Sequence, residues 1–302
     1  MFDCIIIGCG PSGMSCAIYL KRAGKSVLVL EKGMIGGQIA LTKNIENYPG
    51  FKSIDGVSLA MQMYDHVTSI GVDIKYEEVV SCNLQGQQKV VKTHKNEYTA
   101  KTVFICTGAS TKQLNVEGEK KLIGKGVSYC ATCDGTLYKG KDVAVVGAGN
   151  TALEDCVYLS NIANKVYLIH RRDEFRGDNH NTQKVYEQVK NGKIELVLSS
   201  EVTQILGEDK IDSIVVKNKK TDEQKTIDIQ GLFIAIGRIP DTQIFEGIEL
   251  ENGYILTNEK METNIPGVYA GGDVRKTPLR QIVTACSDGA VAAISINEHV
   301  NK

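Results

Sequence analysis

Cys130-Ala131-Thr132-Cys133 is the one C-x-x-C in the chain, and Asp134 follows it directly. Two thiols at this spacing can close a disulfide and reopen it, and a lowered pKa in one of them yields the nucleophilic thiolate. Zinc is the other chemistry such a pair serves, but a structural zinc needs four ligands, and no second pair or nearby histidine supplies them. Spacing alone decides little, since nine cysteines scattered over 302 positions would give roughly 0.3 such pairs by chance. Asp134 has two readings: the first residue of an Asp-Gly turn, or a carboxyl exchanging a proton with the thiols. The pair takes its meaning from what else the chain binds.

The chain repeats itself. Residues 3–31 and 142–170 align without a gap, at an offset of 139. In each copy a β-branched apolar run leads through a glycine-rich turn and a helix-like stretch to a second apolar run, the pattern of βαβ with buried parallel strands. The first turn is Gly8-Cys9-Gly10-Pro11-Ser12-Gly13; the second is Gly147-Ala148-Gly149-Asn150-Thr151-Ala152. In a G-x-G-x-x-G/A turn the first glycine makes the tight bend and the second lets a pyrophosphate approach the backbone. The third position keeps the helix against the sheet, and the phosphates rest on the helix N-terminus. Two such turns in register point to two dinucleotides.

The residues just beyond each second strand separate the ligands. Glu31 stands 18 residues after Gly13, where a carboxylate accepts from ribose hydroxyls. The same 18 residues counted from Ala152 reach His170, followed by Arg171, Arg172 and Arg176. That cationic run suits a 2′-phosphate, so the second copy calls for NADP and the first for an unphosphorylated adenosine ribose. The alternative is an ordinary solvated charge run. Two electrons from a nicotinamide reach a disulfide only through a mediator such as flavin, and with two dinucleotides bound Cys130 and Cys133 read as redox-active.

Each copy closes with a further apolar run ending in glycine, Val103 to Gly108 and Leu232 through Ile236 to Gly237, and a third run ends in Gly271-Gly272-Asp273. The simplest threading inserts the second unit into the first: 1–112 plus 243–302 form one domain and 113–242 the other, with hinges at 113–118 and 239–242. The expected fold is α/β, with two Rossmann-like three-layer dinucleotide-binding domains and the NADPH domain inserted into the FAD domain.

Lys+Arg number 35 against 36 Asp+Glu, a net charge of −1, which leaves no field to attract nucleic acid or an anionic membrane. No apolar run approaches the ~18–20 residues a bilayer span needs, and the N-terminus enters a strand-like run without a basic flank or cleavage site. The chain reads as soluble and cytoplasmic. Cys4, Cys9, Cys16, Cys82, Cys106, Cys156 and Cys286 sit in apolar runs or beside glycine turns and read as small buried residues.

In order and spacing these features resemble low-molecular-weight, bacterial-type thioredoxin reductase, class II of the pyridine nucleotide-disulfide oxidoreductases, over essentially the whole chain. Further carriers of the likeness are Gly37-Gln38, Asn47-Tyr48-Pro49-Gly50, Thr107-Gly108-Ala109, Glu154, and Gly272-Asp273 followed by Arg280-Gln281. The resemblance implies a homodimer with tightly bound FAD that passes electrons from NADPH through flavin to the Cys130–Cys133 disulfide and on to thioredoxin or a thioredoxin-like protein. It implies that Cys133 faces the flavin, that Cys130 attacks the partner's disulfide, and that Asp134 is the acid/base. Asp273 would bond the ribityl chain, Arg280, Gln281 and Ile282 would approach the isoalloxazine, and Glu154 would lie near the nicotinamide. Gly37, Gln38, Asn47, Thr107, Gly108, Ala109, Asn150, Thr151, Ile236 and Gly237 join the cofactor contacts. Ser287-Asp288-Gly289 stands where the family commonly has a more glycine-rich turn. The rival is a related flavin-dependent disulfide reductase with another thioredoxin-like or peroxide-reducing partner, or another electron donor.

Overall fold

The computed structural model describes residues 1–42 and 45–302. They form two units, Met1–Ser110 with Ile239–Lys302, and Thr111–Arg238.

The first unit opens with β1 (Phe2–Ile7), α1 (Pro11–Arg22) and β2 (Val27–Glu31). Then come α2 (Gly56–Ser69), β3 (Asp73–Tyr76), β4 (Val79–Asn83), β5 (Lys89–Thr93), β6 (Glu97–Ile105) and β7 (Ala109–Thr111). Its sheet runs β3-β2-β1-β6-β5-β4. β1 lies parallel between β2 and β6, with Ile5 beside Leu28 on one side and Val103 on the other. From Cys4 to Ile7 β1 carries no polar residue, because both of its faces are covered there. Cys4 and Ile6 pack with Met14, Leu20 and Phe104, while Ile5 and Ile7 pack with Leu28 and Val268. These isoleucines are at most 4% exposed, and burying each contributes about 1.5–3 kcal/mol. α1 starts on Pro11, at the one place where the missing N–H costs nothing, and stops before Gly24, whose φ of 75° no β-carbon favours.

The second unit contains α3 (Glu119–Leu122), β8 (Val127–Ser128), α4 (Ala131–Asp134), β9 (Asp142–Val146), α5 (Asn150–Ser160), β10 (Lys165–Ile169) and α6 (Asn179–Lys190). It continues with β11 (Ile194–Val197), β12 (Ser200–Leu206), β13 (Ser213–Asn218), β14 (Gln224–Asp228), β15 (Gly231–Ile234) and β16 (Arg238–Pro240). A parallel sheet runs β11-β10-β9-β15-β8, and β12-β13-β14 form an antiparallel one. β9 divides its side chains as β1 does: Val143 and Val145 meet Leu153 of α5, and Ala144 and Val146 meet Leu232 and Ile214.

The chain passes between units at Ser110/Thr111 and Arg238/Ile239, a few residues before the junctions at 112/113 and 242/243 expected from sequence. β7 and β16, which carry the two crossings, pair with each other. The junctions are therefore strand residues and not the adjoining loops.

The chain then adds β17 (Leu250–Glu251), β18 (Tyr254–Ile255), β19 (Val268–Ala270) and α7 (Ile282–Val300) to the first unit. β19 joins β6 in parallel. Ser287-Asp288-Gly289, read from sequence as a turn, lies inside α7. Mid-helix glycine costs about 1 kcal/mol, but a β-carbon at Gly289 would fall 2.1 Å from the Ser12 carbonyl oxygen, so only glycine lets α7 lie on α1. No helix among the described residues is long and apolar enough to cross a membrane.

Candidate active site and nucleotide-binding turns

The first glycine turn is shaped by contacts that exclude side chains. Gly8 has φ 115°, and a β-carbon there would sit 2.4 Å from the Cys106 carbonyl oxygen; at Gly13 it would sit 2.1 Å from that of Gly8. Gly10 differs, because a β-carbon on it meets nothing within 4 Å. The space above Gly10 is a cradle that a methyl group would fill, next to the N–H groups of α1 that have no partner within the helix. The Ser12 hydroxyl is buried there without a hydrogen-bond partner among the described residues. Glu31 ends β2 beside the turn, accepting from the Cys9 N–H and the Gly33 N–H, both at 2.7 Å. Two amides thus fix its carboxylate, which keeps further lone pairs for a ribose. The Cys106 thiol donates towards the carbonyls of Ile7 and Gly8 at 3.2 and 3.3 Å, holding the turn from below.

Other expected residues of the first unit gather in two places. Thr107 donates to the Asp241 carbonyl at 2.6 Å, Gly108 adopts φ 75°, and Ala109 begins β7. Gln281 caps α7 in a reciprocal box with Thr284 and accepts from the Asn47 amide at 3.0 Å. Ile282 packs against the cluster of Ile39, Ile45 and Leu59. Arg280 stacks its guanidinium 4.3 Å from the centre of the Tyr254 ring, with Nε buried and without a partner among the described residues. Gly37 and Gln38 open a 3-10 turn at Gly37–Leu41, and Gly272 and Asp273 open another at Gly272–Val274. The unpartnered Ser12 hydroxyl, the cradle at Gly10 and the fixed Glu31 carboxylate together fit an FAD-type dinucleotide.

The second turn repeats the device. Gly147 has φ 146°, and its β-carbon would lie 2.4 Å from the Ala235 carbonyl oxygen, whereas Gly149 again faces open space. The backbone N–H groups of Arg176 and Gly177 both donate to the Ala148 carbonyl, at 2.8 and 3.0 Å, and the Asp178 N–H donates to Asn150 Oδ1 at 2.7 Å. These bonds pin the cationic loop beside the turn. Arg171, Arg172 and Arg176 are exposed. His170 is 5% exposed, with Nε2 unpartnered among the described residues. Burial holds its pKa below the usual imidazole range, and the positive charges of Arg176, Arg171 and Arg172 push the same way. Glu154, one helical turn into α5, is exposed and accepts from the Asn181 amide at 3.0 Å. Beside it Asp155 is pushed up to about 7 by burial and by Glu154, against the pull of Arg238. Thr151 is exposed in the first turn of α5; Ile236 is half-buried, and Gly237, at φ 112°, accepts from the Lys112 N–H. The open cradle at Gly149 and the three exposed guanidiniums fit a phosphorylated nicotinamide dinucleotide.

Cys130 and Cys133 are bonded to each other, with Cα atoms 5.3 Å apart, Cys130 capping the short α4 and Cys133 within it. Both are half-buried. Ser128, at the end of β8, ties the pair to the neighbouring carboxyl. Its hydroxyl donates to Asp134 Oδ2 at 2.6 Å and accepts from the Cys130 N–H at 3.1 Å. Burial raises the pKa of Asp134 above the usual carboxylate range, and the Ser128 bond partly offsets that. The group is thus suited to hold a proton beside two sulfurs. The Cys130 sulfur also lies 3.4 Å from the Thr132 hydroxyl. The other seven cysteines are free, and burial pushes the thiols of Cys4 and Cys9 up to about 12, which leaves them poor nucleophiles.

Sequence reasoning missed Ser128 and a buried Arg275–Asp288 ion pair. The only signal for Ser128 was a hydroxyl residue two positions before the first cysteine, and for the pair a single carboxylate within an otherwise small and apolar run.

Residues 2–289 match the family model described as pyridine nucleotide-disulphide oxidoreductase. The thioredoxin reductase of Bacillus subtilis is 42% identical over 305 residues, which cover 100% of this chain and 96% of the relative. That of Peptoclostridium acidaminophilum is 40% identical, covering 99% of this chain and 97% of the relative. The crystal structure of thioredoxin reductase from Streptococcus pyogenes is 39% identical and superposes with a TM-score of 0.94, covering 100% of this chain and 98% of that one. With its paired dinucleotide turns, its C-x-x-C disulfide and this full-length likeness, the chain belongs to the pyridine nucleotide-disulphide oxidoreductases, in their low-molecular-weight, bacterial-type thioredoxin reductase branch.

Proposed function

We propose that the protein is a thioredoxin-disulfide reductase that uses NADPH and FAD, and that the Cys130–Cys133 disulfide beside the proton-holding Asp134 carries the reaction. When bound, FAD would supply the electron pair, taken from NADPH, that reduces this disulfide. Gly8, Gly10, Pro11, Ser12, Gly13 and Glu31 would hold its adenosine and pyrophosphate, Gly37, Gln38, Asn47, Thr107, Gly108 and Ala109 would line it, and Gly272, Asp273, Arg280, Gln281 and Ile282 would address its ring end. Gly147, Gly149, Asn150 and Thr151 hold the NADPH pyrophosphate. His170, Arg171, Arg172 and Arg176 would take the 2′-phosphate, Glu154 would lie near the nicotinamide, and Ile236 and Gly237 would complete the nucleotide contacts.

The chain's own sulfurs complete the chemistry. The Cys130 thiolate attacks the oxidised partner's disulfide, forming one S–S bond to the partner and releasing a partner thiolate, which takes the proton held at Asp134. The Cys133 thiolate then attacks Cys130 in the mixed disulfide, restoring the internal disulfide and expelling the second partner sulfur as a thiolate, which takes its proton from water. Ser128 keeps the Cys130 backbone and the Asp134 carboxyl in fixed relation through this exchange. The same reading gives a cytoplasmic homodimer, and the seven unpaired cysteines suit a reducing compartment.

Anaerobic titration with NADPH tests the proposal. Wild-type protein is expected to take up two electron pairs, one at flavin and one at sulfur, and to reduce thioredoxin. Cys130→Ser should lose the second uptake and turnover together. Turnover with reduced ferredoxin and none with NADPH would overturn it.

A further inference from the structure

Asp288 is a charged residue in the middle of α7, only 6% exposed. Arg275 grips it with both arms of its fork, Nε to Oδ2 at 2.7 Å and Nη2 to Oδ1 at 2.8 Å. Oδ2 also accepts the Gly272 N–H at 2.9 Å. One carboxylate therefore holds both ends of the tight turn that contains Asp273. The surroundings leave that turn little freedom. Gly272 has φ 74°, and a β-carbon on Gly271 would lie 2.7 Å from the Phe104 ring and 2.9 Å from the Ser12 hydroxyl. Gly289, next to Asp288, is the glycine on which α7 approaches Ser12. Turn, α7 and the first turn of α1 thus meet at the unpartnered Ser12 hydroxyl.

A buried ion pair is a poor source of stability, since apolar residues of similar size usually serve as well. Its bidentate geometry does give direction. We propose that Arg275 and Asp288 are positioning residues for FAD: the pair fixes the Gly272–Asp273 turn against α1 so that Asp273 and Ser12 meet the cofactor from set directions. This rests on the assignment of Ser12, Gly272 and Asp273 to FAD proposed above.

Apoprotein reconstituted with FAD and followed by quenching of flavin fluorescence tests it, with thermal unfolding of each apoprotein measured alongside. Arg275→Met and Asp288→Asn are expected to weaken FAD binding about tenfold or more, and Arg275→Lys, which keeps the charge but not the fork, to fall between them and wild type. The double variant Arg275→Met/Asp288→Asn removes the buried charges together and keeps an amide oxygen to accept the Gly272 N–H. It should unfold near the wild-type temperature yet still bind FAD weakly and show a shifted flavin midpoint potential. Wild-type affinity and potential in the double variant would overturn the proposal, as would wild-type affinity in both Arg275→Met and Asp288→Asn. Failure of the wild-type apoprotein itself to take up FAD would instead overturn the cofactor assignment.

Discussion

Asp134 concentrates the residue-level chemistry, because burial and a hydroxyl act on it in opposite directions. Burial disfavours its carboxylate and raises its pKa, while the bond donated by Ser128 favours the carboxylate and lowers it. Tyr138 lies in the field of Asp134, and burial together with the Asp134 charge pushes that phenol up to about 12, so it stays neutral through the working range. In the role proposed above, Asp134 can donate a proton below its pKa and not above it, so kcat/KM for thioredoxin should fall with rising pH through a raised carboxyl pKa. Ser128→Ala removes the lowering influence and should move that limb to higher pH. Asp134→Asn should abolish the limb and most of the rate. A Ser128→Ala profile that overlays wild type, or moves to lower pH, would separate the hydroxyl from the proton. Ser128 was illegible in the sequence because nothing marks one serine out from the others; only the fold shows its hydroxyl shared between the Cys130 amide and the Asp134 carboxyl.

Elements show why glycine positions in one motif are not equivalent. Gly13 is closed in by the Gly8 carbonyl at 2.1 Å, whereas Gly10 faces open space with an ordinary φ of −83°. Gly13→Ala should therefore force α1 off the sheet and lower the melting temperature sharply. Gly10→Ala should unfold like wild type and yet lose FAD affinity, which thermal scans with and without FAD would separate. In the second unit the cationic loop is pinned to the Ala148 carbonyl. Arg176→Ala is expected to raise KM for NADPH about tenfold and leave that for NADH little changed; an equal rise for both would assign the loop to general phosphate binding. The β1-α1-β2 and β9-α5-β10 units were legible because continuous apolar runs and glycine punctuation are local signals. The antiparallel β12-β13-β14 group was not. Its strands mix Lys, Asp and Gln with apolar residues, and their burial is decided by packing on Val127 and Leu232. α7 was misread at Ser287-Asp288-Gly289 for a related reason: the glycine answers to Ser12, about 275 residues away in sequence.

For the molecule as a whole, the threading sets a mechanical requirement. The disulfide and the glycine turn assigned above to NADPH lie in the same unit, Thr111–Arg238, while the turn assigned to FAD lies in the other. On that assignment the expectation is that nicotinamide and disulfide are presented to the flavin in alternation, by movement about the two crossings. The two crossing strands are not independent tethers: β7 and β16 pair, with the Lys112 N–H donating to the Gly237 carbonyl at 3.0 Å and the Ser110 hydroxyl to that of Ile239 at 3.3 Å. A paired ribbon resists bending more than twisting, so the motion expected is a rotation of residues 111–238 about it. Engineered surface cysteines, one on each unit, joined by a bismaleimide in the oxidised enzyme test this, since Cys130 and Cys133 are then protected as a disulfide. Locked protein should undergo one rapid reduction by NADPH, or one reoxidation, in stopped flow and then stall, with steady-state thioredoxin reduction reduced by at least about tenfold. If the locked protein turns over at the unlocked rate, the nucleotide and the disulfide share the flavin without exchanging places, and rotation is no part of the cycle.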